Sequence, residues 1–94
     1  MATHQATPIF SLGLTIITSN AQETLHPEDV LQALRRHAGG DWGECGAEDA
    51  QSNVEALREN HRLLSAYRDR TGARFWIITE WDRSITTILL PKDY

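Results

Sequence analysis

The sequence predicts a single α+β domain of order β-α-α-β-β-β that closes in an antiparallel meander. Three observations predict it. Segments 27–38 and 47–59 carry helical punctuation and apolar residues at helical spacing. From Arg62 onward the apolar period changes to two. The period-two segments are separated by short turns at 69–72 and 82–84, which demand antiparallel hairpins.

Residues 1–8 are expected to fray. Phe10 to Ser19 is rich in β-branched residues and fits a strand, which Gly13 weakens as a bulge or an edge. Asn20 to Thr24 reads as a turn. Pro27 suits a first helical position, and Glu28 and Asp29 meet the positive end of the dipole. Val30, Leu31 and Leu34 form a stripe, Arg35, Arg36 and His37 fill the last turn, and Gly39 or Gly40 supplies the stop. Four glycines in Gly39–Gly46 make a loop that Trp42 is expected to pin to the core. A weaker helix runs over 47–59, with Asn60 as a left-handed terminator. Strands follow at 62–68, 73–81 and 85–90, and Pro91 ends the sheet.

The 94 residues suffice for one domain with one modest core. Apolar residues at 40% and charged residues at 23% describe a globular chain. No apolar run approaches the ~18–20 residues of a membrane span, so no membrane association is expected. The first residues lack the basic and apolar regions of a signal peptide, and a single cysteine excludes an intramolecular disulfide; a reducing cytoplasm is the expected setting. The net charge of −4 argues against broad contact with nucleic-acid phosphates. Eight of the nine basic residues are arginine, which suits bidentate contacts to carboxylate or phosphate.

Along the central hairpin strand, Phe75, Ile77, Thr79 and Trp81 share one face, and Trp76, Ile78 and Glu80 the other. Both faces are substantially apolar, and two helices can cover only one. Either the second face stays exposed as an interaction surface, or the sheet curls and buries both.

The stretch Arg36-His37-Ala38-Gly39-Gly40-Asp41-Trp42-Gly43 is followed by Glu48-Asp49, Asn53, Arg62-Leu63-Leu64-Ser65-Ala66-Tyr67 and Trp76-Ile77-Ile78-Thr79-Glu80. The chain ends Asp82-Arg83-Ser84-Ile85-Thr86-Thr87-Ile88-Leu89-Leu90-Pro91-Lys92-Asp93-Tyr94. From about Leu12 onward it resembles a family of small proteins carried on plasmids, phages and other mobile elements. The resemblance implies a setting rather than a mechanism. Two places depart from that family's pattern: Thr18-Ser19-Asn20-Ala21 lacks a Pro-Gly-like turn, and Asn60-His61 replaces a glycine.

Proton exchange near neutral pH points to His37, beside Arg35 and Arg36 at a helix end. The alternative role for such a histidine is to meet the last helical carbonyls. A second cluster, Glu80, Asp82, Arg83, Ser84, Thr86 and Thr87, gathers an acid, a guanidinium and hydroxyls around one turn. Ordinary turn formation explains Asp82 and Ser84 equally well. Ser65 and Tyr67 read as half-buried strand residues, and Asp41 as a loop residue that caps or receives Arg36. His26, His37, His61 and the lone Cys45 have no paired ligand spacing, so neither a metal nor another cofactor is expected.

Two functions from different classes follow. In the favoured one the protein is a binding module that occupies a cationic surface on a host nucleic-acid-handling or defence protein, as antirestriction and anti-CRISPR proteins do. Glu44, Glu48, Asp49, Glu55 and Glu59 would imitate phosphates, with Asp41, Trp42 and Trp76 completing the binding set. In the alternative it is a metal-independent ribonuclease, by likeness of architecture to the barnase–EndoU–colicin–RelE group. His37 or Glu80 would then exchange protons, Arg83 would hold the phosphate, and Thr86 and Thr87 would donate hydrogen bonds. A purely structural homodimer through the sheet is the third expectation.

Overall fold

The computed structural model of the protein describes residues 7–94. Most of the segment expected to fray, 1–6, lies outside the described residues; Thr7 and Pro8 are exposed coil. Strand β1 spans Leu14–Ile17, and helices α1 (Ser19–Thr24), α2 (Pro27–Ala38) and α3 (Ala47–Glu59) follow. Strands β2 (Leu63–Arg68), β3 (Arg74–Thr79) and β4 (Ile85–Leu89) lead to a closing 3-10 turn at Pro91–Asp93. The α+β class and the meander are as the sequence predicts, with one added helix.

That helix replaces the expected turn at Asn20–Thr24. Thr18 caps it by accepting the Ala21 N–H at 3.2 Å. The Thr18 hydroxyl in turn donates to the Asp93 carboxylate at 2.6 Å, a partner 75 residues away. The first strand is also shorter than expected, because the chain leaves the sheet at Gly13. There φ is +64°, and a Cβ would overlap the Ser84 and Arg83 carbonyls. Phe10 instead stacks with Trp42 at 6.3 Å. The strand expected to run to Trp81 stops at Thr79, and Trp81 lies 63% exposed in the turn.

The sheet order is β1-β4-β3-β2. Both hairpin pairs are antiparallel, while β1 joins β4 in parallel with Leu14 opposite Ile85 and Ile17 opposite Ile88. One face carries the core: Tyr67, Phe75, Ile77 and Ile88 pack against Ala21, Leu25 and Ala33, with Val30 and Leu34 beside them. A second cluster joins Trp42, Ala56 and Leu63 under α3, so Trp42 does pin its loop. The opposite face follows neither of the two expectations throughout. Ile78 and Leu89 at its centre are buried, and Tyr94 folds back edge-on to Trp76 at 5.7 Å. At its β1 end, Leu14 and Ile16 remain 65% and 43% exposed.

The two sheet edges differ. Beside β2, Asn53 of α3 pairs with the Leu64 backbone in both directions, donating to its carbonyl at 2.7 Å and accepting its N–H at 3.0 Å. The loop at Trp42–Glu44 then runs along the strand, with the Ala66 N–H donating to Trp42 O and the Glu44 N–H to Ala66 O. Gly43 is required there: φ is +70°, and a Cβ would overlap the Ala66 carbonyl. Among the described residues the edge of β1 has no such cover.

Candidate functional site

His37 comes from the last turn of α2, pointed inward by the same stripe that buries Ala33. It has no solvent exposure. Its Nδ1 lies 2.5 Å from Ser65 Oγ, and its Nε2 2.8 Å from Thr79 Oγ1. Thr79 Oγ1 is 2.8 Å from Thr86 Oγ1, and the Thr86 hydroxyl donates to the Leu12 carbonyl at 2.7 Å.

The carbonyl end fixes the direction of the whole chain. A carbonyl only accepts, so Thr86 spends its proton there and accepts from Thr79. Thr79 then accepts from His37 Nε2–H. Burial keeps the imidazole neutral, so with Nε2 protonated Nδ1 is bare and accepts from Ser65, which defines a single tautomer. Burial is the main reason its pKa falls from the ordinary 6.5 to about 4, and the nearby Arg83 charge adds to the effect. Phe10 and Trp42 wall the ring edge-on at 5.3 and 5.8 Å. This is a fully paired polar strut between α2 and three strands, with neither ring nitrogen free for a substrate.

Arg83 is held at φ +61° in the β3–β4 turn. Its guanidinium donates to the carbonyls of Ala56 (3.0 Å), His61 (2.6 Å), Glu80 (3.0 Å) and Trp81 (3.2 Å). It therefore closes the C-terminal end of α3 onto the hairpin, where a cation also meets the negative end of the helix dipole. Glu80 pairs with Arg62 at 3.3 Å on the opposite side of the sheet from His37, and Thr87 shares its shallow depression with Arg62, Ile78, Leu89 and Tyr94. Of the residues that could act on RNA, the structure joins His37 to Thr86. It places Glu80 and Thr87 across the sheet and engages Arg83 with backbone.

Asp41 holds Arg36 through two bonds of 2.7 and 3.2 Å and accepts the Gly43 N–H, which lowers its pKa. Its carbonyl accepts from Tyr67. Glu44 pairs with Arg68 at 2.9 Å. Cys45 is half-buried against the Leu64 carbonyl, and burial raises its thiol pKa. Among the described residues no three His, Cys, Asp or Glu side chains gather as a metal site, and no helix is long and apolar enough to cross a membrane.

The remaining acids are different. Glu48, Asp49, Glu55 and Glu59 are exposed, and none forms an ion pair within the described residues. Glu48, Glu55 and Glu59 stand at i, i+7 and i+11, which aligns them along the outer face of α3. The buried Asn53 and Ala56 fix that orientation. Sequence reasoning did not find the partners of His37 or the role of Asn53. A usable signal for the first was present: Ser65, Thr79 and Thr86 are polar residues at core-facing parity on adjacent strands. Comparison with protein-family models, curated proteins and solved structures returned no match.

Proposed function

We propose that this protein is a binding module whose α3 face docks on a cationic surface of a partner protein. The carrying observation is the row Glu48, Glu55 and Glu59: exposed, aligned, and in no ion pair among the described residues. Glu55 and Glu59, four residues apart on this face, repel one another, so their alignment does not stabilise the helix. Such a row does raise the rate and selectivity of encounter with a basic patch. Together with the resemblance to mobile-element proteins, this favours a host protein that handles nucleic acid as the partner, with the carboxylates standing where phosphates would. The engaged ring of His37 and the backbone-bound Arg83 give the ribonuclease alternative no comparable support.

The test is capture from host extract by immobilised protein, followed by elution with duplex DNA as a competing polyanion. A nucleic-acid-binding protein should be retained at low salt and released by DNA. The triple variant Glu48→Lys/Glu55→Lys/Glu59→Lys, altered only at exposed positions, should bind it at least about tenfold more weakly. Equal retention by the triple variant would discard this reading.

A further inference from the structure

Three of the eight arginines, Arg36, Arg68 and Arg70, line one polar cleft of about 200 Å³ between α2 and the end of β2. Asp29, Gln32 and Arg36 stand at i, i+3 and i+7, on the flank of α2 that borders this cleft. The Arg36 guanidinium lies over the Tyr67 ring at 5.0 Å, and Asp29 pairs with Arg70 at 3.0 Å, so contacts across the cleft fix both of its ends.

All three guanidiniums are held by the same edge. Arg36 donates through Nε and Nη2 to Asp41 at 2.7 and 3.2 Å. Arg70 donates through Nε and Nη2 to Asp29, both at 3.0 Å, and Arg68 through Nε to Glu44 at 2.9 Å. None of the three Nη1 groups has a hydrogen-bond partner among the described residues, and neither has the Gln32 side chain. Arg62, outside the cleft, differs: its Nη1 donates to the Tyr94 hydroxyl. The two acids of the lining have no oxygen left unbonded. Asp29 holds Arg70 with both of its oxygens, and Asp69 accepts from the Thr71 hydroxyl and from the N–H groups of His26, Thr71 and Ala73. Asp41 and Glu44 do not line the cleft. What faces it is an excess of unpartnered donors. These arginine side chains are about half exposed, where ion pairs add little stability, so folding alone does not account for gathering three of them. A guanidinium locked by one edge presents the other in a fixed direction, and that geometry matches the oxygens of a phosphate.

We propose that this cleft binds a phosphate group, presented as inorganic phosphate or as the terminal phosphate of a small phosphorylated molecule. The Nη1 donors of Arg36, Arg68 and Arg70 supply hydrogen bonds to its oxygens, and the Gln32 amide supplies one more. A phosphoryl group offers three strong acceptor oxygens to three guanidiniums, whereas a carboxylate offers two. The cleft is smaller than the roughly 300 Å³ at which pockets for whole organic ligands begin, so the phosphate enters and the rest of the molecule stays outside. The row of acids on α3 takes no part, and the site stands whether or not that row docks on a partner.

Two-dimensional NMR of the purified chain, read at the backbone amides and the arginine Nε–H groups, tests this. Sodium phosphate is titrated at about pH 7.5, where the group carries nearly two charges, against sodium chloride at matched ionic strength. A parallel series uses adenosine monophosphate. Signals of Gln32, Arg36, Arg68 and Arg70 should shift and saturate, with a Kd on the order of 1 mM or tighter. Tighter binding of the nucleotide assigns the site to a phosphomonoester, and equal or weaker binding assigns it to free phosphate. Arg36→Gln and Arg70→Gln should each weaken binding by about tenfold. Gln32→Glu, at an exposed position, breaks no ion pair and places a carboxylate among the same donors. It should weaken binding at least as much and leave the rest of the spectrum in place. If an arginine variant fails to fold, Gln32→Glu decides. Shifts that rise without saturating, or that reach Arg58 and Arg74 equally, are non-specific attraction and overturn the proposal. So does a saturable site that Gln32→Glu leaves at wild-type affinity.

Discussion

His37 shows how a residue suited to catalysis can serve as a structural polar group. Its neutral form is stabilised because burial penalises the imidazolium and because Thr79 and Ser65 occupy both nitrogens. The consequence for stability has a definite sign. The unfolded chain binds a proton at this residue below about 6.5, whereas the folded chain does not until about 4. Between those values the unfolded state holds more protons, so stability falls as pH falls. The contribution is complete above pH 6.5 and lost on passing down to pH 4, an amount on the order of 3 kcal/mol. Urea denaturation at intervals across this window should show that slope in the wild type. His37→Gln, less stable overall, should lack this histidine's share of it. An equal slope in both proteins would mean that His37 is not the responsible group.

At the scale of elements, the β2 edge depends on a side chain imitating a strand. Asn53 presents one donor and one acceptor to Leu64, as a neighbouring backbone would. Asn53→Ala leaves both backbone groups of Leu64 without that partner and should cost about 2–3 kcal/mol in chemical denaturation. Asn53→Asp should do no better, because a carboxylate can accept the N–H but opposes the Leu64 carbonyl. The Leu64 amide should exchange faster with solvent in both variants. A change of under about 0.5 kcal/mol in Asn53→Ala, the level of ordinary surface substitutions, would sink this account. Elements with local signals were legible in the sequence. Pro27, the first-turn acids and Gly39 bound α2, Asn60 at φ +57° ends α3, and short turns dictate the hairpins. α1 was not legible, because its cap is anchored by Asp93 from the far end of the chain. The candidate site was legible only as residue types. The core-facing parity of Ser65, Thr79 and Thr86 was a usable signal that went unread, but parity alone does not supply the strand register and helix placement that bring all three to His37.

For the whole molecule, the parallel pairing of β1 with β4 determines how the fold is closed. Parallel neighbours end at the same side of the sheet, so Thr18 just beyond β1 and Asp93 just beyond β4 emerge together. Asp93 exploits this through three bonds: it accepts from the Thr18 hydroxyl at 2.6 Å, the Asn20 amide at 2.7 Å and the Leu90 N–H at 2.9 Å. These bonds hold its pKa below the ordinary carboxylate value. Tyr94 adds its contact with Trp76 and accepts from Arg62 at 3.0 Å. The last four residues thus tie α1 and the far sheet face to the same point. Deletion of 91–94 should lower the melting temperature more than Asp93→Ala alone, because it also uncovers Trp76. Asp93→Ala should act chiefly on the α1 end, speeding exchange of the Ala21 and Leu25 amides while leaving β2–β3 protection intact. A melting temperature unchanged by the deletion would show that the parallel strand is held by its ladder alone, and that the closing turn is incidental to the fold.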